Sequence, residues 1–326
     1  MPDALSSVLD ILDVRVASSA RLEAAGAWGL SFPEPGQLKV IAVLAGQCWV
    51  TVGPAGPAGG GPGEPVRLRA GDGLLLTGRQ EFAVRSDPNE AATPQPVVLP
   101  GPWPPVVYHQ TGPGPAGDGR TVLVSGRLTV DRYAEGLLLE RTPPAVPITG
   151  RAAAAQRPVL ELLSAEAADP GAPGSLAIRR QLTHVLLVQV LRAVLTTPTE
   201  PAGPTGWLAA LADPQVGAAL AAIHTRPAEP WTVAGLAREA TMSRSAFAAR
   251  FRTLVGQPPL DYLITWRMHR AARELRTSGD SVASIGAAVG YPAETTFSST
   301  FRRVIGQPPG RYRVAARSAG QIATPG

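Results

Sequence analysis

The sequence is short of cysteine, of charge and of long apolar runs, and each shortage excludes something. One cysteine, Cys48, among 326 residues permits no internal disulfide, which suits a reducing compartment. Charged residues make up 17% and apolar ones 44%, a balance that allows a real core and argues against a chain disordered throughout. The most apolar helical stretch, Leu182–Leu195, is too short and too interrupted to span a bilayer. The first residues, MPDALSSVLDILDV, carry acids and lack the basic start of a signal peptide. These features predict a cytoplasmic protein with no membrane contact. The four histidines, His109, His184, His224 and His269, all lie outside the strand-like runs between Leu38 and Arg85, so those runs lack a metal-ligand set. There is no nucleophile elbow. The glycine-rich segment Gly53–Gly63 has no Lys-Ser/Thr after it and reads as a loop, not a phosphate cradle. No metal, no cofactor and no catalytic residue is expected, and the chain is not expected to be an enzyme.

What is present is uneven. From Arg226 to the end, fourteen arginines, no lysine and six acids give a net +8, whereas the sixteen basic and nineteen acidic residues before it give −3. A basic third joined to a mildly acidic remainder suits a polyanion partner. On charge alone, a solubilising surface is an equal alternative, and arginine without lysine also fits a GC-rich genome.

Glycine and proline, 35 and 34 residues, mark the loops. Up to about residue 135 the chain reads as short strands: Leu38–Leu44, Cys48–Val52, Val66–Leu68, Leu74–Thr77, Phe82–Val84 and Thr121–Val124, separated by turns such as Ala70-Gly71-Asp72-Gly73. That pattern predicts a barrel or a sandwich. Gly53–Pro65 reads as a hairpin tip and Ser86–Gly119 as a long Pro-rich loop. From about Thr149 the period becomes helical: Leu160, Leu163 and Ala167, then Leu182, Val185, Leu186, Gln189, Val190 and Ala193. The second helix is apolar nearly all round, so it needs cover on more than one face, from a second subunit or from its own. Thr196–Thr205 reads as a linker.

The last hundred residues are duplicated. Phe247, Phe251, Arg252, Gly256, Gln257, Pro258, Pro259 and Tyr262 recur fifty residues on as Phe297, Phe301, Arg302, Gly306, Gln307, Pro308, Pro309 and Tyr312. Upstream the offset is forty-nine, pairing Val233, Leu236 and Ala240 with Val282, Ile285 and Val289, so the second copy has one extra residue in its turn. Each copy reads as helix, tight turn, helix. The first has a helix over Thr232–Ala240, the turn Thr241-Met242-Ser243 with Ser243 as N-cap, and a helix ending at Gly256. The second has Asp280 or Ser281 as cap, a helix to Gly290, and a helix from about Ala293 to Gly306. This is the helix-turn-helix arrangement. Helical spacing buries Phe247, Phe251, Leu254 and Val255, and likewise Phe297, Phe301, Val304 and Ile305. It leaves Ser245, Ala248, Ala249 and Arg252, and Glu294, Thr295, Ser298, Ser299 and Arg302, facing away. Arg244, Arg250 and Arg303 flank these faces within reach of phosphates. Leu260, Ile264, Met268, Ala271 and Leu275 predict one stripe of a long helix between the copies.

The run MSRSAFAARFRTLVGQPPLDYLITWRMHRAARELR followed by SVASIGAAVGYPAETTFSSTFRRVIGQPPGRYR resembles the DNA-binding domain of the AraC/XylS family of bacterial transcription regulators, over about Asp213–Arg313. The resemblance implies duplex DNA as partner. It places Ser243, Arg244, Ser245, Ala248, Ala249 and Arg252, and Glu294, Thr295, Ser298, Ser299, Arg302 and Arg303, at the DNA. Several of these slots hold Ala or Ser where a long polar side chain would read a base, which shifts discrimination toward few contacts and DNA shape. Glu294 suits either a cytosine amino group or the positive end of its helix.

Ala27-Trp28-Gly29-Leu30, Leu44-Ala45-Gly46-Gln47-Cys48-Trp49, Leu68-Arg69-Ala70-Gly71-Asp72-Gly73 and the Val122–Val130 strand pair resemble the cupin-like sensor domain of one subgroup, and Gly174–Leu195 resembles its dimerisation helices. The implied protein is α+β and two-domain. Residues 1–198 would be a cupin-like β-barrel with dimerisation helices, 199–212 a linker, and 213–326 an all-α double helix-turn-helix. Its partners would be operator DNA, a small-molecule effector bound in the barrel, a second copy of the chain and RNA polymerase. Trp28, Trp49, Tyr108 and His109 are candidates for the pocket, with plain core packing the alternative. Two other readings remain beside this one: a DNA-binding protein whose front domain only dimerises, and a cupin enzyme, which the missing ligands disfavour.

Overall fold

The computed structural model describes residues 5, 6, 9, 15–33, 38–53, 64–77, 80–94, 106–111, 120–129, 143–169, 171–196 and 206–322. The chain divides into two compact units, one of Val14–Thr199 and one that holds Glu200–Gly326.

The first unit is sheet-rich. Its strands are β1 (Arg15–Ala25), β2 (Gly29–Phe32), β3 (Leu38–Ala45), β4 (Gln47–Val52), β5 (Val66–Arg69), β6 (Gly73–Leu76), β7 (Phe82–Arg85), β8 (Thr93–Pro94), β9 (Val106–Thr111), β10 (Thr121–Thr129) and β11 (Ala145–Ile148). Six form one sheet in the order β11-β6-β3-β10-β1-β9, and five a second in the order β5-β4-β7-β2-β8. Leu22, Ile41, Val43, Leu74 and Leu123 of the larger sheet meet Leu30, Val50, Leu68, Phe82 and Val84 of the smaller in one dry core. The described strands therefore make two facing sheets and not the closed barrel expected. The chain steps between sheets at Gly46, where φ is +73° and a Cβ would lie 2.7 Å from the Arg120 carbonyl oxygen. Only glycine fits both conditions. The expected turn at Gly71 also carries the chain across, with the Asp72 carboxylate accepting from the Arg69 amide at 2.9 Å.

Two strands fall where a loop was expected. β8 and β9 lie inside Ser86–Gly119, and β9 runs parallel beside β1, Ala20 opposite Val106 through Ala25 opposite Thr111. The hairpin-tip residues 54–63 lie outside the described residues.

Two helices follow, α1 (Gly150–Ala168) and α2 (Ser175–Thr196), packed on each other, with α1 also against β3 and β10 and α2 against β11 and β1. Leu160 and Leu163 of α1 and Leu186, Leu187, Val190 and Leu191 of α2 are buried. Leu162 of α1 and Ile178 and Val185 of α2 remain 55%, 44% and 42% exposed, so the apolar surface of this helix pair is only partly covered. Residues 197–205 of the expected linker lie outside the described residues.

The second unit is helical: α3 (Trp207–Ala212), α4 (Pro214–Thr225), α5 (Val233–Glu239), α6 (Arg244–Val255), α7 (Pro259–Thr277), α8 (Val282–Ala288), α9 (Glu294–Ile305) and α10 (Pro309–Ile322). Trp207–Ala212, within the span read as linker, is thus a helix, and Trp207 is buried in this unit. Among the described residues no helix is long and apolar enough to cross a membrane.

Candidate nucleic-acid interface

Each half of the sequence repeat folds as helix, turn, helix, and the caps are where the small polar residues stand. Thr232 caps α5, its hydroxyl accepting from the Gly235 amide at 3.0 Å. Ser243 caps α6 by accepting from Ala246 at 3.3 Å, and Ser281 caps α8 by accepting from Ser284 at 3.0 Å. The N-cap of α9 is Ala293, with no side-chain hydrogen bond, and Glu294 occupies the first turn instead, where a carboxylate favours the helix dipole. Gly256 and Gly306 close α6 and α9 in the left-handed conformation.

The aromatic residues repeat as a packing unit. Phe247 and Phe251 lie 5.5 Å apart, Phe297 and Phe301 5.6 Å; Phe251 meets Tyr262 edge-on at 5.8 Å, and Phe301 meets Tyr312 at 5.6 Å. All four phenylalanines are fully buried, as their spacing predicts, while Leu254, Val255, Val304 and Ile305 are half-buried.

The two turns place residues of very different tolerance at the same point. Thr241 has φ +52°, and Gly290, forty-nine residues on, has φ +86°. A β-branched residue is strained there, and a glycine is not. Gly290 is also hemmed in: a Cβ would lie 2.8 Å from the Ala228 carbonyl oxygen and 2.9 Å from Arg267 Nη2. Thr241→Gly is therefore expected to stabilise the fold by about 1 kcal/mol, and Gly290→Ala to destabilise it by about 1–3 kcal/mol. Urea midpoints at unchanged slope check both; equal shifts of one sign would refute the strain argument.

Helix α7 serves two cores with different faces. Met268, Ala271, Ala272 and Leu275 pack into the core of the second helix-turn-helix unit with Ile285, Phe297 and Phe301. Toward its start the buried residues are Tyr262, Leu263 and Trp266, whereas Leu260 and Ile264 of the expected stripe are only half-buried. The reason is the helix pair in front. Tyr262 accepts from Trp207 Nε1 at 2.9 Å and lies 2.7 Å from His224 Nε2, and His224 stacks on Trp266 at 3.8 Å. Arg267 then ties the two halves. It donates to the Pro227 and Glu229 carbonyls at 2.6 and 2.7 Å, and its guanidinium lies 5.6 Å from the Tyr291 ring centre, in the second turn. No sequence motif marked this residue.

Opposite the aromatic faces, Ser243, Arg244, Ser245, Ala249 and Arg252 are exposed and Ala248 is half-buried. On α9, Glu294, Thr295, Ser299, Arg302 and Arg303 are exposed and Ser298 is half-buried, with the Ser299 hydroxyl donating to the Thr296 carbonyl at 3.0 Å. Among the described residues, none of the salt bridges engages Arg244, Arg252, Arg302 or Arg303.

Arg250, expected to reach a phosphate, is different. It holds Asp213 through Nη2 at 2.5 Å and Nε at 3.0 Å. Asp213 also caps α4, accepting from Gln215 and Val216 at 3.0 and 2.8 Å, and Pro214 after it suits the first helical position. Burial of Asp213 opposes its charge, but the Val216 amide, the Arg250 guanidinium and the Gln215 amide outweigh that and hold its carboxyl below the usual value. A depressed folded-state pKa adds stability above the unfolded value that is lost as pH falls through the folded one. Asp213→Ala is therefore expected to cost about 1–2 kcal/mol at pH 7, with the two proteins converging below pH ~4. A gap that persists undiminished in acid would show that charge plays no part.

In the first unit the expected pocket residues separate. Trp28 is core, and Trp49 is half-buried with Arg67 5.5 Å from its ring centre. Tyr108 and His109 lie in β9, with side chains outside the described residues. Cys48 is buried, and burial pushes its thiol up to about 12, so it packs as a small hydrophobe. Among the described residues no group of three His, Cys, Asp or Glu could hold a metal.

Known proteins match this organisation end to end. A cupin family model matches residues 3–196, and a helix-turn-helix domain model matches residues 236–315. An AraC-like transcription regulator of Streptomyces lividans is 40% identical over 313 residues, covering 95% of this chain and 98% of its own length. One from Streptomyces antibioticus is 38% identical over 315 residues, with 95% and 98% covered. Among solved structures, the DNA-binding domain of AdpA in complex with a target DNA is 37% identical, covering 33% of this chain and 96% of its own, with a TM-score of 0.31. With its cupin domain in front and its paired helix-turn-helix units behind, the chain belongs to the AraC family of DNA-binding transcription regulators.

Proposed function

We propose that the chain reads a specific operator with both helix-turn-helix units, and that an effector held in the cupin domain controls this. The observation that carries the DNA side is the division of α6 and α9. Their aromatic faces are consumed by the cores, while the opposite faces present exposed arginines to which no salt bridge among the described residues is assigned. In this reading Ser243, Arg244, Ser245, Ala248, Ala249 and Arg252, and Glu294, Thr295, Ser298, Ser299, Arg302 and Arg303, meet the DNA. Arginines at such positions supply phosphate and guanine contacts, and Ser and Thr supply adaptable ones. Arg267 and α7 hold the units in fixed relation, which suits successive major grooves about one helical turn apart.

The sensor would occupy residues 1–198 and the DNA-binding part 213–326, joined through 199–212. The exposed apolar residues Leu162, Ile178 and Val185 on α1 and α2 fit a second copy of the chain, and the protein would act in the cytoplasm without enzymatic activity. The test is selection of bound sequences from random duplexes by the full chain. Paired half-motifs spaced by about 10 base pairs support two reading heads, and a doubled site supports dimerisation. Salt-sensitive binding with no enriched sequence would sink the operator reading.

A further inference from the structure

The N-terminal core ends in a charged layer. Across the larger sheet, the register aligns Leu76 of β6, Lys39 of β3 and Arg127 of β10. Lys39 alternates with Ile41 and Val43, and Arg127 stands four pairs along from the Leu123–Val43 pair, an even number that keeps it on the same face. Ile41, Val43 and Leu123 all belong to the core between the sheets, so both basic residues face inward. Facing them on the smaller sheet, the register aligns Val52, Phe82 and Phe32. The two phenyl rings stack at 5.0 Å, and the Lys39 ammonium lies 5.4 and 5.8 Å from their centres. The next layer inward, Val50, Val84, Leu30 and Ile41, is sealed, whereas Lys39, Arg127 and Phe32 are only part-buried. The charged layer is thus the open end of the core over an apolar floor.

Two like charges side by side at such a place need an explanation. No salt bridge among the described residues reaches either one, and Arg127 Nε is buried without a hydrogen-bond partner. Burial, and then the neighbouring Arg127 guanidinium, lower the Lys39 ammonium to about 8, the response of a desolvated cation beside a like charge. The composition sharpens the point: Lys39 is the only lysine in the chain, against twenty-nine arginines. A solubilising cation would have been arginine here as everywhere else. A compact ammonium beside two stacked rings suits a small anionic group, with the adjacent guanidinium as a second donor.

We infer that Lys39 and Arg127 form the anion-binding half of a ligand site at this end of the cupin domain, and that Phe32 and Phe82 take the ligand's apolar body. The ligand class is an organic acid with an apolar group; a neutral sugar or a metal ion does not match these donors. The inference deepens, and rests on, the effector reading above.

The test uses the full chain and its one lysine. Acetic anhydride modifies Lys39 in a single identifiable peptide, followed by mass spectrometry. The probes are 3-phenylpropionate and its neutral isostere 3-phenylpropan-1-ol. The acid at saturation should slow acetylation of Lys39 about tenfold or more while the alcohol leaves it unchanged, and Arg127→Gln should raise the protecting concentration of acid roughly tenfold. No protection by the acid, equal protection by both probes, or unchanged protection in Arg127→Gln overturns the site; the wild-type comparison does not depend on how that variant folds. DNA affinity is read in the same samples. Protection without any change in DNA affinity leaves the anion site standing and removes the effector role, so the two failures are distinguishable.

Discussion

Phe301→Ala is expected to cost about 3–5 kcal/mol and to unfold the second helix-turn-helix unit. Phe301 is fully buried, meets Phe297 at 5.6 Å and Tyr312 at 5.6 Å, and shares its core with Met268, Leu275, Ile285 and Val289. Truncation removes a ring shared by the cores that α7, α9 and α10 bring together, and the cavity left behind adds to the lost transfer energy. The loss should spread. Because α7 also carries Tyr262 and Trp266 into the core of the first helix-turn-helix unit, weakening its C-terminal half should lower the stability of both helix-turn-helix units in one cooperative transition. Urea unfolding followed by far-UV circular dichroism measures it. Phe251→Ala, whose ring meets Phe247 and Tyr262, should behave alike. A variant that keeps its unfolding midpoint but loses DNA would make these aromatics contact residues and reverse the assignment of faces.

The paired units were legible because the repeat carries its own check: two copies of Phe-x-x-x-Phe, Gly-Gln-Pro-Pro and Tyr impose the same helix lengths, C-terminal glycine caps and buried face. Ser243, Ser281, Gly256 and Gly306 fold as their chemistry dictates, since capping is decided within a few residues. What escaped depends on partners distant in sequence. β1, with Ala, Arg, Leu and Glu, has the composition of a helix, yet it is a strand because β10 and β9 pair on its two sides. β9 was hidden among prolines that mark loops. Arg250 sat on the flank expected to meet DNA, and only the fold brings Asp213 to it. Arg267 and Gly290 matter because the Ala228 loop lies against the second turn, a contact no spacing announces. Lys39 stood in plain view as an interior-facing position of β3, but its meaning needed Arg127 and the two rings opposite.

On the proposed DNA-facing surface, Arg252→Ala combined with Arg302→Ala should weaken operator binding by about 1–3 kcal/mol per arginine. The two occupy equivalent places on α6 and α9, both exposed, both in the last turn of their helix. How the loss distributes tells what each does. A phosphate contact releases counterions, so its removal should lower the slope of log affinity against log salt by about 0.9 and leave sequence preference intact. A base contact should relax preference at one position and change the slope less. Arg250→Ala is the internal control, because that guanidinium is committed to Asp213 at 2.5 Å. It should lower stability by about 1–2 kcal/mol through the loss of a charge-assisted pair with little change in salt slope. If instead Arg250→Ala reduces the slope and the Arg252/Arg302 double variant does not, the DNA lies across the α4–α6 edge, and the exposed arginines of the helix faces are solvated surface.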